Sequence, residues 1–199
     1  MSDILERTAS WFDTTREQIQ DNFLANGEAL VAAVELIVEA MIGGHRVLCC
    51  GNGGSSANAQ AFVAMMIHRY HRERPSLPAH LLTPDIPTFS AIVGESSFAD
   101  VYARPVRAYG QSGDILLCMS ATGQAINILQ AIDAAHDKDM RIVALTGYDG
   151  EDIARMLHET DVQIHAPFDR HAAIHMAHHA VLHCMAHLID EQLFGVEND

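Results

Sequence analysis

Hydrophobic spacing in this chain changes character once, near residue 44. From about Asp3 to Ile42 apolar residues recur at helical intervals in two segments, with a break near Ala25-Asn26-Gly27 and a stop at Gly43-Gly44. Beyond that point short, continuously apolar runs alternate with helical ones. Candidate strands lie at Val47–Cys50, Ala79–Leu82, Ile115–Met119, Ile142–Leu145 and Val162–His165. Candidate helices lie at Ser56–His71, Asp100–Ala108, Gln124–Asp137, Glu151–Leu157 and Arg170–Phe194. Strands that are apolar on both faces, separated by helices, make a parallel sheet covered on both sides. The predicted class is α/β, a three-layer doubly wound sandwich with N-terminal helices. No linker, repeat or low-complexity tract divides it, so residues 1–199 read as one domain with 1–44 as a helical extension.

The first strand breaks into Gly51-Asn52-Gly53-Gly54-Ser55-Ser56 and then becomes helix. Glycines let a backbone approach an anion, serines add hydroxyl donors, and the N–H groups of the next helix favour negative charge. A phosphorylated or carboxylated small molecule fits such a loop. The spacing is neither a dinucleotide fingerprint nor a P-loop, because no Lys-Ser or Lys-Thr follows the glycines. After the third strand, Ser120 and Thr122 stand in a turn with Gly123 just before a helix. Two hydroxyls and helix N–H groups can cradle a phosphate without lysine, although Ser and Thr there are also ordinary helix caps. In parallel sheets ligands sit at the carboxyl ends of strands, so these two loops should converge.

Charge and cysteine usage narrow the setting. A net charge of −14, with 12 Lys and Arg spread along the chain, excludes a generic nucleic-acid binder. An indirect route to nucleic acid through a basic protein partner stays open. Arg69, Arg72 and Arg74 form the one dense basic patch and read as a solvated helix end. Four cysteines make neither a C-x-x-C pair nor a disulfide framework, and the apolar stretches are too short and interrupted for a membrane span. The N-terminus has no secretory pattern, so cytoplasm is the expected location.

The order GNGGS, RPSLPA, GDILL-S-x-T-G, IVALTGYDG and a closing LIDEQLF helix resembles the sugar isomerase (SIS) domain family across essentially the whole chain. Within it the chain is similar to the branch that holds phosphoheptose isomerases and the DnaA initiator-associating (DiaA) proteins. The resemblance implies a Rossmann-like five-stranded parallel sheet, a homotetramer in which the N-terminal helices pack, and a sugar-phosphate pocket at subunit interfaces. It carries ligand contacts to Asn52, Gly53, Ser55, Asp85, Ser120 and Thr122, with Glu95 where the family has an aspartate. Two hydroxyls of the family's phosphate loop are replaced by Ala121 and Ala125, each loss removing a bond worth about 1.5–3 kcal/mol to a charged partner.

The catalytic positions implied by the resemblance depart further. Moving a carbonyl between C2 and C1 of a sugar phosphate needs a base for a carbon-bound proton and an acid for an oxygen. The family's histidine and glutamate on the helix after GNGGS fall at Ala61 and Met65, while its C-terminal glutamine and histidine fall at His175 and His183. The acid, His183, is kept and the base is gone, a loss of ~10²–10⁴ in rate. His171, His175, His178, His179 and His183 share one arc of the last helix. That arc reads either as a wet subunit interface or as a metal face, with zinc at His175 and His183 if a metal is bound. Three readings follow: a non-catalytic DiaA-like regulator that binds a sugar phosphate and an initiator protein, a phosphoheptose isomerase, or a metal-dependent SIS enzyme of other specificity.

Overall fold

A computed structural model describes residues 2–196 of the chain. Helix α1 (Ser2–Ile42) leads into β1 (Val47–Gly51), α2 (Gly54–Ile67), β2 (Ala79–Leu81), α3 (Ile86–Glu95) and α4 (Asp100–Tyr109). Then come β3 (Ile115–Ser120), α5 (Ile126–His136), β4 (Arg141–Gly147), α6 (Glu151–Ala154), β5 (Val162–Ala166) and α7 (His171–Phe194). The five strands form one parallel sheet in the order β2-β1-β3-β4-β5, with Val47 opposite both Ala79 and Ile115, and Ile115 opposite Arg141.

Alternation along β1 and β3 divides the core into two layers. Val47, Cys49, Ile115 and Leu117 face a layer built with Ile37 of α1, Phe62 and Met66 of α2, and Leu182 of α7. Leu48, Cys50, Leu116 and Cys118 face the other, with Tyr102 and Val106 of α4 and Ile128 and Ile132 of α5. The expected α/β three-layer sandwich is the fold found. Cys49, Cys50 and Cys118 are buried free thiols. Burial pushes all three up, Cys118 to about 12, so they act as small apolar side chains and not as nucleophiles.

Three expectations about elements are corrected. Helix α1 runs unbroken through Ala25-Asn26-Gly27. A glycine in a helix costs about 1 kcal/mol, but Asn26 is committed elsewhere: its Nδ2 donates to the His165 carbonyl at 2.7 Å and its Oδ1 accepts from the His165 N–H at 2.8 Å. Asn26 thus pairs with the open edge of β5 as a neighbouring strand would, and Asn22 adds a donor to the same carbonyl at 3.0 Å. Gly43-Gly44 ends the helix as the spacing predicts, with Gly44 at φ +82°.

Helix α2 stops at Ile67, not His71, because Arg74 folds back on its end. The guanidinium donates to the carbonyls of Met65 at 2.7 Å and Met66 at 2.8 Å, two of the acceptors a helix leaves without partners. Arg74 is therefore buried, and the solvated reading of the basic patch fails for this residue. Helix α3 has no counterpart among the expected elements. Asp85 starts it by accepting from the Thr88 N–H at 2.9 Å, with Pro87 in the first turn.

Candidate functional site

The strand order reverses at β1 and β3, and the loops after these strands meet there. Asn52 and Asn127 join them through a reciprocal amide pair, each Nδ2 donating to the other's Oδ1 at 2.8 Å. Asn127, fully buried in the first turn of α5, is a site residue the sequence reading missed. Its signal was present as the one amide in the first turn of a helix that follows a Ser/Thr/Gly turn. The part-buried Asn52 keeps one N–H for a ligand, while the buried Asn127 fixes its orientation.

Glycines set the shape of the first loop. A Cβ on Gly51 would stand 2.8 Å from the Ser55 backbone, so the strand can turn this tightly only without one. Tyr102, buried, donates its hydroxyl to the Gly51 carbonyl, and burial pushes its phenol up. Gly54 opens α2, two residues earlier than predicted, which places Ser55 and Ser56 in the helix's first turn. A Cβ on Gly54 would stand 2.4 Å from the His175 ring, so the missing side chain is what lets His175 of α7 rest against this loop. Burial first, and His171 second, hold His175 below the usual imidazole range. Replacing Gly54 by alanine should push that ring into solvent and raise its pKa toward the ordinary value, which a histidine NMR titration would read.

In the second loop Ser120 Oγ accepts from the Gly123 N–H at 3.0 Å, and Thr122 Oγ1 accepts from the Gln124 N–H at 3.3 Å. Both hydroxyls keep their O–H proton for an anion. Ala125 occupies the N-cap of α5 without a side-chain bond, so no hydroxyl covers that helix end. The structure thus brings Asn52, Gly53, Ser55, Ser120, Thr122 and His175 to one edge of the sheet. Asp85 and Glu95 lie at opposite ends of α3, both exposed. Asp85 is engaged as a helix cap, its carboxyl held below the usual range by the Thr88 backbone and hydroxyl. It lines a groove of about 440 Å³ between β2, α3 and α4 whose walls share no residue with the two loops.

On α2, Ala61 and Met65 occupy successive turns. Met65 packs on the core, and α2 carries no acidic residue along its length. On α7 the histidines part ways. His178 is buried against the sheet, its Nε2 donating to the Thr146 carbonyl at 3.0 Å, so it does not belong to the expected arc. His171, His175, His179 and His183 remain, and His187, not among the expected histidines, extends them to a row of one residue per turn. His179 and His183 meet through their Nε2 atoms at 3.1 Å. Asn58 Oδ1 lies 3.1 Å from His179 Nδ1, and its own Nδ2 donates to the His175 carbonyl, which orients the amide as an acceptor toward that ring. His179 therefore carries its proton on Nδ1 and accepts at Nε2. Burial, then His179 and His71, hold His183 below the usual imidazole range.

The zinc set implied by the resemblance does not fit this face, because Ala61 has no donor atom and Met65 offers only a thioether, which is not among zinc's usual ligands. Among the described residues no third His, Cys, Asp or Glu joins the α7 histidines within ligand reach.

His178 gives the site a pH signature. Burial lowers its pKa from 6.5 to about 4, and its Nδ1 has no partner among the described residues. The unfolded chain binds this proton more readily than the folded one, so stability falls as pH drops from 6.5 toward 4. The expected difference is on the order of 3 kcal/mol. In His178→Gln, urea titrations at pH 7 and pH 4 should show that much less acid sensitivity than wild type.

A doubly wound parallel sheet with two hydroxyl-bearing, glycine-shaped loops at its switch point defines an α/β protein built to hold a small anionic ligand. The chain belongs to the SIS domain family, whose model matches residues 10–147. It is 45% identical over 163 residues to a phosphoheptose isomerase of Chromohalobacter salexigens, covering 82% of this chain and 83% of the relative. It is 44% identical over 200 residues to a DnaA initiator-associating protein DiaA of Yersinia pestis, covering 98% and 100%. The solved phosphoheptose isomerase GmhA of Neisseria gonorrhoeae superposes with a TM-score of 0.88 at 37% identity, covering 94% of this chain and 99% of that one.

Proposed function

We propose that this chain is a non-catalytic, sugar-phosphate-binding SIS protein that acts as a regulator by associating with a DnaA-type initiator. One observation carries the loss of catalysis: α2, where the resemblance puts the base, holds no carboxylate, and the half-buried Met65 packs against the core in its place. The loop hydroxyls and amides hold the phosphate, and Asn52 contacts the sugar. Asp85 and Glu95 reach the ligand only where another subunit completes the pocket. Exposed Ile4, Leu5, Trp11 and Phe12 on the free half of α1 support assembly into a homotetramer. No described helix is long and apolar enough to cross a membrane, and a cytoplasmic location suits an initiator-binding role.

The isomerase reading has one observation in its favour. His183, at the position of the family's acid, is within hydrogen-bond distance of His179 at 3.1 Å, a partner that could pass it a proton. The two readings separate in one experiment on tag-free protein: turnover of sedoheptulose 7-phosphate with and without added zinc, followed by NMR, beside binding to purified DnaA. Ligand-induced shifts without turnover, together with DnaA binding, are expected. Turnover above background would replace the regulator with an isomerase.

A further inference from the structure

The amino edge of the sheet, opposite the loops described above, carries a second cluster of chemistry-bearing side chains. His136 ends α5 just before β4, while His158 and Asp161 lie in the connection that leads into β5. At about 3.3 Å per residue, the seven residues of β4 separate this edge from the carboxyl-end loops by roughly 20 Å. One imidazole nitrogen from each histidine and one carboxylate oxygen all lie within 4.8 Å of one another. Among the described residues no other three His, Cys, Asp or Glu side chains meet in this way.

Asp161 is prepared to act as a ligand. Its side chain is 1% exposed, Oδ1 accepts from the Ile142 N–H at 2.8 Å, and Oδ2 accepts from the His158 N–H at 2.8 Å. Two backbone donors thus fix the carboxylate against β4 without using its full acceptor capacity. His136 Nε2 stands 2.8 Å from Oδ2, and the His158 ring stacks on His136 with centroids 3.8 Å apart. The ring nitrogens of His158 have no protein partner among the described residues, and the side chain is exposed. Donors held at 2.0–2.1 Å from a tetrahedral ion stand about 3.3–3.4 Å apart. The His136–Asp161 pair is closer than that spacing, and the other pairs lie within 4.8 Å. To hold an ion, the 2.8 Å contact would open as the metal replaced its proton, and the exposed His158 ring would turn out of its stack to aim its in-plane lone pair at the ion.

We infer that His136, His158 and Asp161 form a divalent transition-metal site of the zinc class, distinct from the sugar-phosphate loops. Two imidazoles and a carboxylate suit Zn²⁺, with water in the fourth position, and not Mg²⁺ or Ca²⁺, which take oxygen ligands. A bound ion ties the end of α5 to the β4–β5 connection.

The test is equilibrium dialysis of the tag-free full-length protein against Zn²⁺ at pH 7.5, with Co²⁺ spectra as a check on nitrogen ligation. Wild type should take up an ion at this site, and His158→Ala should weaken that uptake by at least the ~10–100-fold that loss of an outer-shell partner costs. His158 is exposed, so this variant keeps the fold, and His136→Gln should reproduce the effect. His179→Ala should leave the same ion in place, which separates this site from the histidine row of α7. Uptake unchanged in His158→Ala, or abolished in His179→Ala, would overturn the assignment.

Discussion

Replacing Arg74 by methionine is expected to destabilise the protein by about 3–5 kcal/mol, the cost of leaving one partner of a buried ion pair alone. Arg74 and Asp190 join at 2.7 Å through Nε and Oδ1, with side chains only 1% and 7% exposed. The same guanidinium donates to the carbonyls of Met65, Met66 and Pro75. It ties the end of α2 to the far end of α7, and its loss strands a carboxylate whose Oδ2 already lacks a partner among the described residues. At about 2–4 °C per kcal/mol for a chain of this size, calorimetry should show Tm falling by roughly 6–20 °C. Lysine should not rescue it, since one ammonium cannot supply a planar fork of donors to four acceptors. The double change Arg74→Met with Asp190→Leu should recover much of the loss, because it removes both buried charges. A drop of under about 1 kcal/mol in the single variant, typical of an exposed pair, would show the bridge to be solvated after all.

The same arginine shows where sequence reading ran out. In HRYHRERP three arginines look alike, and nothing local distinguishes a guanidinium turned to solvent from one folded under a helix. The strands were legible because their apolar runs report burial on both faces, a property of each segment by itself. Helix α3 was missed although Ile86, Phe89 and Val93 stand at helical spacing: the helix is short, these three face solvent, and Ile92 is its one buried residue, so little of it belongs to the core. The false break in α1 has the opposite origin. Asn26 and Gly27 do disfavour helix locally, and a contact to His165, far along the chain, outweighs them. At the site, Ser55, Ser120 and Thr122 could be found from turn chemistry. Asn127 and the approach of His175 to Gly54 depend on α5 and α7 converging on one edge, which no local pattern records.

Restoring a carboxylate by Met65→Glu should leave sedoheptulose 7-phosphate turnover below about a hundredth of that of a catalytically intact relative, within the ~10²–10⁴ that a positioned general base contributes. The deficit is geometric as much as chemical. Met65 now packs on the core beside Met66, with its carbonyl held by Arg74. A glutamate there must either desolvate or swing away from the position a base requires. One turn earlier Ala61 offers nothing to orient it, and the bare N-cap at Ala125 leaves the phosphate short of a donor. Misplacement by about 1 Å can itself cost on the order of 10²-fold. Adding Ala61→His and Ala125→Ser to Met65→Glu should therefore raise kcat/KM by more than the product of the separate effects, because the three side chains act on one bound geometry. Steady-state kinetics on the single, double and triple variants would read this directly. Near-native turnover in Met65→Glu alone would mean that the His179–His183 pair and the loop hydroxyls already hold the substrate in a reactive pose, and that only the base had been lost.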